Sequence, residues 1–88
     1  MEAVRSIVHQ EIYEAEYGKI QLKLAEILDK YRVTRNRLAT LTGVKYEVID
    51  RYYKEKVERV DLDFLAKVCF VLNCQISDLL EYQPPPKQ

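Results

Sequence analysis

Apolar residues Ile20, Leu24, Ile27, Leu28 and Tyr31 recur at close to 3.6-residue spacing, with Lys23, Glu26 and Lys30 between them. That period winds an apolar stripe along one side of a helix, so a first amphipathic helix is expected here. "RVTRNRLATLTG" follows, and Thr34 is its natural N-cap because a hydroxyl oxygen can accept a bond from a free N–H of the first turn. The second helix should then run to about Thr42 and close at Gly43, where a left-handed residue carries no Cβ clash. A third helix, Lys45 to Lys54, turns Val44, Val48, Ile49 and Tyr52 inward and Lys45, Tyr46, Glu47, Asp50, Arg51 and Lys54 outward. Asp61 caps a fourth, with Leu62, Leu65, Ala66, Val68, Cys69 and Leu72 as its stripe and Asn73 as its end. Ser77 caps a fifth, short helix holding Leu79, Leu80 and Tyr82, with Asp78 in its first turn.

The interior holds only Gly18 and Gly43 as glycines, and the prolines form one block, Pro84 to Pro86. Without breakers, alternation or turn clusters, the chain reads as all-α. Residues 2–17 carry Val4, Ile7, Val8, Ile12 and Ala15 at roughly helical spacing, which predicts an extra N-terminal helix packing on the core or on a partner. The tail "QPPPKQ" cannot continue a helix and is expected to be an extended, solvated end. The organisation expected is an N-terminal extension (1–19), a compact domain (20–82) and a flexible proline-rich tail (83–88).

Composition narrows the function. The 88 residues suit one domain with a single modest core, and 14 basic residues balance 14 acidic ones, which excludes a generally basic nucleic-acid coat. No apolar run is long enough to cross a membrane, and "MEAVRSIVHQEIYEAE" is too charged for a signal peptide, so a cytoplasmic location is expected. Cys69 and Cys74 are expected as reduced, packed side chains, and with the single His9 far away they make no metal site. No phosphate loop or nucleophile with a nearby base is visible. An enzyme is not expected, nor a cofactor, metal or small-molecule substrate.

The stretch "LATLTGVKYEVIDRYYKEK" carries the chemistry. Counting from Arg35 as first, Leu38 is fourth, Ala39 fifth, Gly43 ninth, Val44 tenth, Ile49 fifteenth and Tyr52 eighteenth. A small residue lets two helices cross closely, a glycine makes the turn, and the later apolar residues hold the second helix on the core. At these residues, and through the ending "LDFLAKVCFVLNCQISDLLEY", the chain resembles the Cro/cI-type (xenobiotic-response-element) helix-turn-helix family from about Ile20 to Tyr82. The resemblance implies a compact five-helix, lambda-repressor-like domain and a homodimeric transcriptional regulator, most often a repressor, bound to duplex operator DNA. Carried over position by position, it places Tyr46, Glu47, Asp50 and Arg51 at the bases of the major groove. Arg35, Lys45, Lys54, Lys56 and Arg59 would face phosphates.

Local charge agrees with this assignment. Thr34 to Arg59 holds seven basic and four acidic residues, a net of +3 that leaves −3 for the rest, so a neutral chain can still present one positive face. Glu47 and Asp50 oppose it, being carboxylates on the proposed reading face, although a carboxylate can accept from cytosine N4 and Arg51 can fork onto guanine. Lys45 stands where the family commonly has a Ser or Thr cap, and Glu55 where it commonly has glycine. Glu47–Arg51 and Asp50–Lys54 are also spaced as solvent-exposed i,i+4 pairs, which would make the face merely soluble. Tyr53 covers the core edge or touches a phosphate. The seven tyrosines are scattered rather than gathered on a platform for single strands. The alternative function is a protein interaction module on a helix-turn-helix scaffold that has lost DNA binding.

Overall fold

The computed structural model describes residues 17–86. Over that span the order is strand β1 (Lys19–Leu22), helices α1 (Leu24–Tyr31), α2 (Arg35–Thr42), α3 (Tyr46–Tyr53) and α4 (Leu62–Leu72), a 3-10 turn (Ile76–Asp78) and strand β2 (Leu80–Gln83).

The helix ends follow the local chemistry of the sequence. Thr34 accepts from the Arg37 N–H at 3.0 Å and opens α2, and Asp61 accepts from the Asp63 N–H at 2.9 Å and opens α4. Gly43 ends α2 at φ +75°, with its N–H on the Ala39 carbonyl at 2.8 Å. Asn73 ends α4 at φ +51°, and the Cys74 N–H reaches back to the Cys69 carbonyl at 3.1 Å, closing the last turn.

The core is the convergence of the four apolar stripes. Leu28, Leu38, Ile49, Val68 and Leu79 are fully enclosed, and among the described residues no polar or charged side chain is buried. Each such aliphatic contributes about 1.5–3 kcal/mol by leaving water. Tyr52 lies in this core against Phe64, ring centroids 4.3 Å apart, while its hydroxyl oxygen accepts from the Asp61 N–H at 2.9 Å. That bond ties the end of α3 to the start of α4 across the charged loop between them. Cys69 and Cys74 are free, half-buried thiols; burial, and then the neighbouring Cys69, push the Cys74 thiol up to about 11.

Three expectations are corrected. The segment from Ile20 is a strand, and α1 begins at Leu24; Ile20 is 61% exposed rather than on the buried stripe. The fifth helix is replaced by the 3-10 turn followed by β2, with Gln75 at its N-cap, so Ser77 lies inside the turn and does not cap it. The described fold is thus mostly helical with four α-helices and a two-stranded antiparallel sheet, rather than all-α with five helices. The cause is the same at both ends: the backbone of 19–22 pairs with that of 80–83 (Ile20 opposite Tyr82, Leu22 opposite Leu80), and this ladder competes with helix for the same N–H groups. Gly18, at φ +82°, allows the close approach, because a Cβ there would collide with the Gln83 carbonyl and Pro84. The Tyr82 hydroxyl donates to the Tyr17 carbonyl at 2.8 Å beside it. The expected N-terminal helix lies outside the described residues.

Candidate nucleic-acid interface

Helices α2 and α3 pack against each other, with Leu38 and Ile49 in the core and Ala39 and Val44 packed against it, and the left-handed Gly43 opens the turn that joins them. Thr42 reinforces the turn: its hydroxyl donates to the Leu38 carbonyl at 2.8 Å and accepts from the Val44 N–H at 3.2 Å. Ile49 and Tyr52 take the buried side of α3, so the residues on the opposite side of the helix face outward.

Of the four side chains expected at bases, Tyr46, Glu47 and Arg51 are exposed along α3. Asp50 is occupied within the protein. Its Oδ1 accepts from Arg35 Nη1 at 2.5 Å and its Oδ2 lies 3.0 Å from Lys54 Nζ, so one carboxylate joins the first residue of α2 to the end of α3. The hydrogen bond with Lys54, and then that with Arg35, hold the Asp50 carboxyl below its ordinary range. Glu47 and Arg51 form no ion pair with each other among the described residues, unlike Asp50 and Lys54, which do.

Of the five residues expected at phosphates, Lys45, Lys54, Lys56 and Arg59 are exposed, whereas Arg35 is half-buried. Its guanidinium stacks 4.3 Å from the Tyr53 ring and lies 5.9 Å from that of Tyr46. Tyr53 therefore sits at the core edge as the platform for Arg35. Sequence reasoning missed the Arg35–Asp50–Tyr53 cluster, because residues 15 and 18 positions apart share no helix and no periodic signal links them.

The two departures in this segment have local consequences. Lys45 is the N-cap of α3 and forms no side-chain cap bond, so first-turn N–H groups are left to other acceptors, with a cation beside them. Glu55 takes φ +58°, and that left-handed residue lets the Lys56 N–H return to the Arg51 carbonyl at 2.8 Å, closing α3. Lys56 and Arg59 follow in the exposed loop beyond.

No helix among the described residues is long and apolar enough to cross a membrane. Among those residues no three His, Cys, Asp or Glu side chains gather as a metal site.

Comparison with known proteins gives a consistent picture. The family of Cro/C1-type HTH DNA-binding domains matches residues 23–85. Among solved structures, one assigned as a DNA-binding protein from Bacteroides fragilis is 25% identical, superposes with a TM-score of 0.64, and covers 72% of this chain and 100% of its own. A second, the transcriptional regulator VanUg, is 25% identical with a TM-score of 0.63, covering 86% of this chain and 100% of its own. No curated protein matches.

Proposed function

We propose that this chain, which belongs to the Cro/C1-type helix-turn-helix DNA-binding family, represses transcription as a homodimer that reads duplex DNA with α3 in the major groove. The coarser reading, a DNA-binding regulator, agrees with its family and with both structural relatives. Tyr46, Glu47 and Arg51 then face base edges, Arg51 forking onto a guanine and Glu47 accepting from a cytosine N4. Lys45, Lys54, Lys56 and Arg59 face phosphates, and the uncapped N-terminus of α3 offers N–H groups to one of them.

The observation that carries this reading is the Arg35–Asp50–Lys54 bridge. A carboxylate already neutralised by two cations repels a phosphate backbone far less than a free one. Asp50 is therefore a positioning residue that holds α3 on α2, and Glu47 is the one carboxylate left exposed along α3. Two modules about 34 Å apart can address successive half-sites, which one small domain cannot.

Fluorescence anisotropy with mixed-sequence duplex at low salt tests the reading. Weak binding that disappears as salt rises is expected. If the full chain leaves the duplex free even at low salt, the interaction-module function replaces this one. Selection from a random duplex pool then gives the site, and its half-site spacing gives the arrangement of the two copies.

A further inference from the structure

Cys69 and Cys74 are the two cysteines of the chain. On an unbroken α-helix, residues five apart stand about 9 Å apart at Cα and point to different sides, beyond the roughly 7 Å that a disulfide can bridge. Here the helix breaks between them. Asn73 takes φ +51°, and the reversal lets the Cys74 N–H donate to the Cys69 carbonyl at 3.1 Å. Bond lengths put such a nitrogen about 1.5 Å and such an oxygen about 2.4 Å from their own α-carbons, so a hydrogen bond bent at both ends keeps the α-carbons inside the bridging limit. Both side chains pack on the same core cluster, and the two thiols are close enough to hydrogen-bond. Each is half-buried, which leaves it open to a small solute.

We infer that Cys69 and Cys74 form a reversible intramolecular disulfide by exchange with a low-molecular-weight disulfide, a redox-responsive clip across the end of α4. The Cys69 thiolate attacks one sulfur of the small disulfide, whose other half leaves as a thiolate and takes up a proton. Cys74 then gives up its proton and attacks the Cys69 sulfur of the mixed disulfide, expelling the second half as a thiol. The protein loses two hydrogen atoms with their electrons, and the small disulfide is reduced to two thiols. Cys69 acts first because burial, and then Cys69 itself, push the Cys74 thiol up to about 11, which leaves little thiolate near neutrality. The part of that rise due to Cys69 ends once its sulfur is bound. The bond joins the last turns of α4 to the segment that leads through the 3-10 turn into β2, so it resists loss of that end of the fold. It involves no residue of α2 or α3 and is independent of the DNA-binding reading.

The test equilibrates the full chain with mixtures of reduced and oxidised glutathione, folded in buffer and unfolded in urea, then blocks free thiols with N-ethylmaleimide and counts them by mass. The folded chain is expected to take the bond within one copy, with an equilibrium constant at least about tenfold above that of the unfolded chain. By linkage the oxidised form then melts at a higher temperature than the reduced one. Cys74→Ser should stop at a glutathione adduct on Cys69, and Cys69→Ser should form its adduct roughly tenfold more slowly, both with an unchanged helical circular-dichroism spectrum. A folded chain that keeps both thiols while the unfolded chain oxidises overturns the proposal. So does a disulfide between copies, or an equilibrium constant no higher in the folded state than in urea. Faster adduct formation by Cys69→Ser overturns the order of attack.

Discussion

Arg35 and Asp50 meet at 2.5 Å across the helix-turn-helix, with the Arg35 guanidinium laid on the Tyr53 ring. This contact ties α3 to α2 and also occupies the Asp50 carboxylate, leaving Tyr46, Glu47 and Arg51 as the exposed side chains of α3 expected at bases. Its removal should therefore separate stability from affinity. Asp50→Asn is expected to lower the melting temperature, because Arg35 and Lys54 lose their shared acceptor. The same change should tighten binding to nonspecific duplex by roughly threefold to tenfold at low salt, since a negative charge leaves the vicinity of the phosphates. Thermal melts and anisotropy on one preparation check both directions.

The pH dependence follows from the same carboxylate. Because Asp50 titrates below its ordinary range in the fold, its contribution is present above the unfolded-state pKa of about 3.9 and is lost as pH falls through the lower folded value. The difference in melting temperature between the native chain and Asp50→Asn should thus be flat from pH 8 to about 5 and shrink below about 4. A difference that shrinks near neutrality instead would assign the effect to another group.

Cations at the phosphates and at the bases should give different signatures. Lys56→Ala is expected to reduce the slope of log affinity against log salt by about 0.9 and leave sequence preference unchanged. Arg51→Ala should cost about 1–3 kcal/mol on the preferred site and relax the choice at one or two base pairs. If an operator gel shift is indifferent to both, the assignment of α3 is wrong.

Glu55 adopts a left-handed backbone, φ +58°, that glycine occupies without strain. Glu55→Gly is expected to stabilise the fold by about 1 kcal/mol, a rise of about 4–8 °C for a domain of this size, measured by calorimetry. It also raises the local net charge by one, so binding at low salt should strengthen alongside.

The two glycines should respond to alanine for different reasons. Gly43→Ala places its Cβ in open space and costs only the left-handed φ, about 1 kcal/mol. Gly18→Ala brings the Cβ onto the Gln83 carbonyl and the Pro84 backbone, so the strand pairing itself must shift. Chemical denaturation should rank Gly18→Ala as the more damaging, and hydrogen exchange should show the loss concentrated in 19–22 and 80–83.

Short-range chemistry was legible in the sequence. The Thr34 and Asp61 caps, the left-handed Gly43 and Asn73, and the stripes that bury Leu28, Ile49, Tyr52 and Val68 all depend on residues within a few positions of one another. The order of those signals also identified the family, which matches residues 23–85. The strands were not legible, because Ile20 continues the helical period of Leu24 and Ile27 as readily as it alternates with Leu22, until Leu80 and Tyr82 arrive from the far end of the chain. Likewise the sequence marked Asp50 as a carboxylate on an outward face and Arg35 as a free cation, and only the folded crossing of α2 over α3 brought them together. Local propensity is written into neighbouring residues, whereas a hydrogen bond or ion pair between distant ones exists only once the core has fixed the distance between their backbones.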